Sequence, residues 1–237
     1  EEHRYLGAFK IFPADFDNDG DVDLYIFNSG LDKDPFPGDR SVILENKMDD
    51  QKFVEHLVGK QHFTHGASIV DIDQDGDLDI FESGRGIESF SGFYINNGNF
   101  KFEEQSNFIV GSNIINSTFL TTEFKDIDND GIIDKVGAYI EYSNCPEYLP
   151  ENVESCPDFN PIIFWGGEDN SFSFKNISDI PKVENFGLPL SILFYDLDND
   201  NRDEIIISRK EGNSFNDPNN YNGVYIQICK IDMNRVV

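Results

Sequence analysis

The stretch DFDNDGDVDL, Asp15 to Leu24, sets five carboxylates on alternate positions around one glycine. The pattern returns as DIDQDGDLDI from Asp71, DIDNDGIIDK from Asp126 and DLDNDNRDEI from Asp196. In D-x-D-x-D-G-x-x-D, side chains at the first, third, fifth and ninth positions can converge on one point if the chain turns sharply at the sixth. The candidate ligands are Asp15, Asp17, Asp19 and Asp23 in the first loop, and Asp71, Asp73, Asp75 and Asp79 in the second. Asp126, Asp128, Asp130 and Asp134 serve the third, and Asp196, Asp198, Asp200 and Asp203 the fourth. The seventh position would offer its backbone carbonyl, which leaves its side chain free: Asp21, Asp77, Ile132 and Arg202. Hard oxygen donors in this number suit Ca²⁺, with its flexible shell of six to eight oxygens, better than Mg²⁺, which gives up water reluctantly. The expectation is about one Ca²⁺ per loop, up to four.

Glycine at the sixth position (Gly20, Gly76, Gly131) admits a positive φ, and Asn201 in the fourth loop is the next most tolerant residue. Two other loop types share the D-x-D-x-D-G start. An EF-hand needs a bidentate Glu at position 12 between helices, but Ile26, Glu82, Gly137 and Ile207 stand there. A dockerin-type loop also leads into a helix, and apolar runs of strand type flank all four loops. An acidic turn without metal is the bland alternative, and four copies in register count against it. Each loop would join two core strands, so metal binding would become folding free energy.

The formal charge of −27 argues against nucleic acid, whose phosphates need Lys and Arg, and against docking on an anionic membrane surface. Eighteen aspartates lie in the four loops, so the acid is concentrated; four dications would add eight charges, taking −27 to −19. No apolar run approaches the roughly 20 residues that span a bilayer, so membrane insertion is not expected. The chain opens on Glu1 with neither an initiator Met nor a signal-like segment, as a processed form or a fragment would. Cys145 and Cys156 flank a polar, Pro-containing segment. They are either two free thiols or a disulfide that would contribute about 3 kcal/mol in the chain-entropy model. Cys229, in VYIQICKI, and Trp165, in IIFWGG, read as core. A disulfide and calcium at millimolar levels both point outside the cytoplasm, to a secreted, periplasmic or cell-surface protein.

The loops start 56, 55 and 70 residues apart. In each unit an apolar stretch enters the loop, a second run leaves it (LYIF, LDIF, VGAYI, EIIIS), and a third follows a variable insert (SVILEN, GFYINN, PIIFWGG, GVYIQI). An alternating fourth run closes the first three units (KFVEHL, FKFEE, FSFKN), as suits an edge strand, whereas only DMNRVV follows in the fourth. No window sustains a helical period. Four strands per unit at this repeat length describe propeller blades. The expectation is an all-β, single-domain β-propeller over 1–237 with four recognisable four-stranded blades, at about 5–58, 62–107, 114–180 and 186–237. These would form a complete small ring or part of a larger one.

The loops and the runs that follow them, such as DLYIF and DEIII, resemble FG-GAP/VCBS repeats, the blades of integrin-α-type propellers. The resemblance covers nearly the whole chain. It implies that the aspartates named above bind calcium and that the loops lie between strands 1 and 2 on one face of the disc. Relatives of this type commonly have seven blades. Asn201 and Arg202 depart from the motif and put the fourth site in question.

The inserts between strands 2 and 3 are long and unlike one another, and long loops on a rigid scaffold are where recognition concentrates. They hold Phe36, Arg40, Arg85, Phe90, Tyr148, Phe159 and Tyr221. These residues could form a face for a glycan or protein ligand, opposite the calcium loops; plain solvated loops are the alternative. No nucleophile elbow, P-loop or dinucleotide fingerprint is present, so no catalysis is expected. His62 and His65 in QHFTHG are spaced for opposite faces of an extended chain, and the His-Gly pair is similar to those of VCBS repeats, which implies packing near the axis. The leading expectation is a calcium-stabilised binding or adhesion module. A non-catalytic part of an extracellular polysaccharide-acting enzyme, or an assembly subunit pairing with further blades from the same or another chain, are the alternatives.

Overall fold

The computed structural model describes residues 7–31, 33, 36–47, 52–84, 90–105, 118–140, 160–168, 171–184, 188–210 and 224–231. The chain divides into two compact units, Glu1–Phe108 and Ile109–Val237. In the first, β1 (Ala8–Ala14), β2 (Asp23–Asn28), β3 (Asp39–Lys47) and β4 (Lys52–His62) form one sheet in chain order. There β5 (Thr64–Val70), β6 (Asp79–Gly84), β7 (Ser91–Asn96) and β8 (Phe102–Gln105) form another. The second unit repeats the plan with β9 (Thr118–Lys125), β10 (Asp134–Ile140), β11 (Ile162–Gly166) and β12 (Phe172–Asp179). Its other sheet has three strands, β13 (Leu188–Tyr195), β14 (Glu204–Lys210) and β15 (Val224–Cys229).

The chain is thus all-β and built of propeller blades, each an antiparallel meander; no helix occurs among the described residues. Among the described residues the fourth blade shows three strands, and residues 232–237, where a fourth was expected, lie outside the described set. Strand β4 runs to His62, past the boundary at 58 read from the sequence.

Burial follows the apolar patterning. Strands β6 and β7 are buried at every position, as continuous runs require, whereas β4 alternates and exposes one side. Within each unit the two blades stack face to face. From the first blade, Tyr25 and Phe27 meet Ala67, Ile80 and Tyr94 of the second. In the other unit Val136, Ile163 and Trp165 meet Ile192, Ile205, Ile207 and Cys229. The side-chain period of two explains this. The residue after the ninth loop position (Ile80, Ile205) faces the preceding blade, and the next residue (Tyr25, Val136) faces the following one. Trp165 and Cys229 lie in the core, as read from the sequence.

One irregularity recurs in all four blades. The pairing of strands 1 and 2 slips between Ala8 and Lys10, between Thr64 and Gly66, and between Pro189 and Ser191. In the third blade Thr121 pairs with Ala138 and Phe119 with Tyr139, which leaves Leu120 as the extra residue. The extra residues Phe9, His65, Leu120 and Leu190 each stand six places before the first aspartate of their loop. A bulge adds twist and re-aims the strand, so each strand enters its acidic loop with the same local geometry.

Candidate metal centre

The four loops share one hydrogen-bonding scheme. The first aspartate caps the turn: Asp15 accepts from the N–H groups of Asp19 and Gly20 at 3.2 and 3.0 Å. Asp71 does so from Asp75 and Gly76, Asp126 from Asp130 and Gly131, and Asp196 from Asp200 and Asn201, all within 2.9–3.1 Å. The fifth residue accepts from the seventh N–H at 2.9–3.0 Å: Asp19 from Asp21, Asp75 from Asp77, Asp130 from Ile132 and Asp200 from Arg202.

The fourth and sixth positions have positive φ. Asn18, Gln74, Asn129 and Asn199 lie at 58–60°, and Gly20, Gly76 and Gly131 at 90–98°. A Cβ on these three glycines would meet nothing within 4 Å, so the backbone conformation alone demands glycine. Asn201 keeps the turn by adopting a φ of 66°, in the left-handed region that Asn tolerates. The sequence reading missed the fourth position, although Asn, Gln, Asn and Asn there were a visible signal.

The ninth residue begins strand 2 and locks the loop to the sheet. Asp23 accepts from Phe16 N–H at 3.0 Å and Asn46 N–H at 2.8 Å. Asp79 accepts from Ile72 and Asn96, and Asp134 from Ile127 and Gly166, at 2.8–2.9 Å. In the fourth loop the group that does this is Glu204, which accepts from Leu197 N–H at 2.8 Å, and not Asp203. Counting nine from Asp196 lands on Glu204, so the eye is drawn one place early by the aspartate in Arg-Asp-Glu. Asp203 instead pairs with Lys125.

Carboxylate oxygens converge in every loop. Asp15, Asp17 and Asp19 offer atoms within 4.8 Å of one another, as do Asp71, Asp73 and Asp79; Asp126, Asp128 and Asp134; and Asp196, Asp198 and Glu204. The second, third and fourth trios each span the loop and the first residue of strand 2. Burial raises Asp79 to about 7 and Asp134 to about 6, even though two backbone N–H groups bond each. Burial, then repulsion from Asp19 and Asp23, raises Asp17, and repulsion from Asp75 adds to burial at Asp73. One buried oxygen of Asp17, Oδ1, has no hydrogen-bond partner. Desolvated like charges with an unsatisfied inward oxygen are what a hard cation would relieve, so the donor set fits a divalent metal.

Loops 1 and 2 are joined. Asn18 Nδ2 donates to Asp77 Oδ1 at 2.7 Å. Fully buried Asn96 gives its N–H to Asp79 and its side-chain amide to Phe16 O at 2.9 Å, while Phe16 N–H bonds Asp23. A continuous hydrogen-bonded path therefore links the ninth-position carboxylates of the two loops.

Glu82, the residue at position 12 of loop 2, takes no part in this site. It is buried between the first two blades, accepts from Tyr25 O–H at 2.5 Å, and pairs with His62 Nε2 at 2.5 Å. Burial raises its carboxyl, but the hydrogen bond and charge of His62, with the hydrogen bonds of Ser41 and Tyr25, together outweigh that and hold it below the usual range. His62 is thus a junction residue, and the half-buried His65 packs edge-on to Phe63.

At the opposite end of the strands lies the β2–β3 insert. Phe36 is half-buried, its ring 5.1 Å from that of Phe63, and Arg40, also half-buried, donates to Leu57 O at 3.3 Å. Phe90 does not belong to a surface face. It is 6% exposed and packs in the core against Tyr94, with ring centres 4.7 Å apart. Arg85, Tyr148, Phe159 and Tyr221, and Cys145 with Cys156, lie outside the described residues.

Compared with known proteins, the chain matches no family model and no curated protein.

Proposed function

We propose that this chain is a calcium-stabilised extracellular propeller module of the FG-GAP/VCBS type that binds a glycan or protein ligand. The supporting observation is the fourfold loop geometry, which brings three carboxylates within 4.8 Å at each turn and, in loops 2 to 4, includes the first residue of strand 2 among them. Bound Ca²⁺ would neutralise the carboxylates and cross-link the loop to the sheet. The chain's own part is to hold those oxygens in place through the backbone N–H bonds to the first, fifth and ninth residues. Extracellular calcium is concentrated enough to fill such sites, which supports placement outside the cytoplasm.

The ligand is assigned to the β2–β3 insert, where Phe36 and Arg40 offer a ring and a cation at the strand ends away from the metal loops. A glycan array probed in calcium should give hits that Phe36→Ala and Arg40→Ala weaken at least about tenfold while the chain still melts cooperatively. Hits untouched by both substitutions would move the ligand site elsewhere.

An assembly role is the second reading, favoured by one feature of the fourth blade. Leu193, Val224, Ile226 and Ile228 are each 53–63% exposed. The pairings Leu193–Ile206–Ile228 and Ser208–Ile226 place most of them on one sheet face, away from the core formed with the third blade. Exposed apolar patches of this kind mark interaction surfaces, and another blade is the chemistry that covers the equivalent face elsewhere in the chain.

A further inference from the structure

We propose that Lys230 is a tethered counter-ion that suppresses cation binding at the fourth loop, so that three of the four loops bind calcium tightly. The inference rests on the calcium reading of the loops. It starts from the sheet register, in which one residue of strand 3 stands opposite the ninth loop position of each blade. Leu24 pairs with Leu44, Ile80 with Tyr94, Lys135 with Phe164 and Ile205 with Cys229. One step along, Glu45, Ile95, Trp165 and Lys230 stand opposite Asp23, Asp79, Asp134 and Glu204. A cation occupies this place in the fourth blade alone.

The Lys230 ammonium uses that place. It bonds Asp198, and its Nζ lies 3.4 Å from Glu204 Oε1 and 3.7 Å from Asp200 Oδ2. Asp198 and Glu204 belong to the converging trio, so the ammonium engages the oxygens a metal would need. Two other cations crowd the same turn: Lys125 pairs with Asp203, and Arg202 replaces the aspartate found at the seventh position of loops 1 and 2. Loop 2, by contrast, has five aspartates and no basic residue between Asp71 and Asp79.

Lys230 is 60% exposed, so its side chain can swing away. It is therefore a competitor and not a plug. Exposed ammonium–carboxylate contacts are individually weak, and two or three together correspond to about a tenfold loss of affinity for an incoming dication.

The test is a calorimetric titration of the chelator-stripped chain with calcium chloride. Wild type should bind three equivalents tightly and a fourth at least about tenfold more weakly. Lys230→Met should bring the fourth into the tight class, and Lys230→Arg, which keeps the charge, should leave the wild-type curve. Lys230→Gln gives the same readout if the methionine variant misfolds, and adding Glu204→Gln should abolish the gained site. Four equal sites in wild type, or a curve that Lys230→Met and Lys230→Gln leave unchanged, would overturn the proposal while the calcium reading stands. No binding by any variant would overturn both.

Discussion

Single carboxyl groups set the pH behaviour. In the folded, metal-free chain burial lifts Asp79 to about 7 and Asp134 to about 6, against 3.8 for an ordinary aspartate. The folded state then holds protons that the unfolded chain has released. The metal-free fold should gain stability as pH falls from about 8 to about 5, by on the order of 2 kcal/mol, with the gain absent above the raised values. In calcium the trend should reverse, because protons and metal compete for the same oxygens. Melting in chelator at several pH values checks this, and a chelated midpoint that falls over that range would count against buried, unpaired carboxyls. At this scale the sequence was legible where residue type alone decides. The aspartates and the glycines at position six were readable, because no other residues supply those oxygens or that φ. Phe90 was not, since its ring turns into the core against Tyr94 of β7 and His62 of β4, a contact 28 positions away. Glu204 was readable only by strict counting.

At the scale of strands and loops, the apolar runs after each acidic loop gave away strands 2 and 3. The alternation in KFVEHL marked β4 as an edge. The bulge six residues before each loop left no mark in composition, because it is a slip in backbone pairing that Phe9, His65, Leu120 and Leu190 tolerate equally. The bridge from Asn96 to Phe16 was hidden for another reason: it joins residues 80 positions apart. Its loss has a defined consequence. Asn96→Ala would leave Phe16 O and Leu78 O buried without that donor, at a cost of about 1–3 kcal/mol. It should also weaken calcium binding at loops 1 and 2 together, while loops in the other unit keep their affinity. Denaturant melts and a calcium titration of this variant measure both effects; an unchanged midpoint would show that the bridge does not hold the loops.

For the molecule as a whole, a charge of −27 on 237 residues leaves a large self-repulsion concentrated in four turns. The propeller-blade architecture was legible because it is repeated, and repetition turns a weak local signal into a strong one. If dications hold the turns, stability must depend on them by mass action. Three filled sites at a hundredfold excess over their dissociation constants would together contribute about 8 kcal/mol. The most direct measurement is the melting midpoint in calcium, in magnesium and in chelator. The expected result is a fall of at least about 10 °C on chelation, restored by Ca²⁺ and much less by Mg²⁺. A midpoint indifferent to chelator, at neutral pH and moderate salt, would contradict the metal assignment.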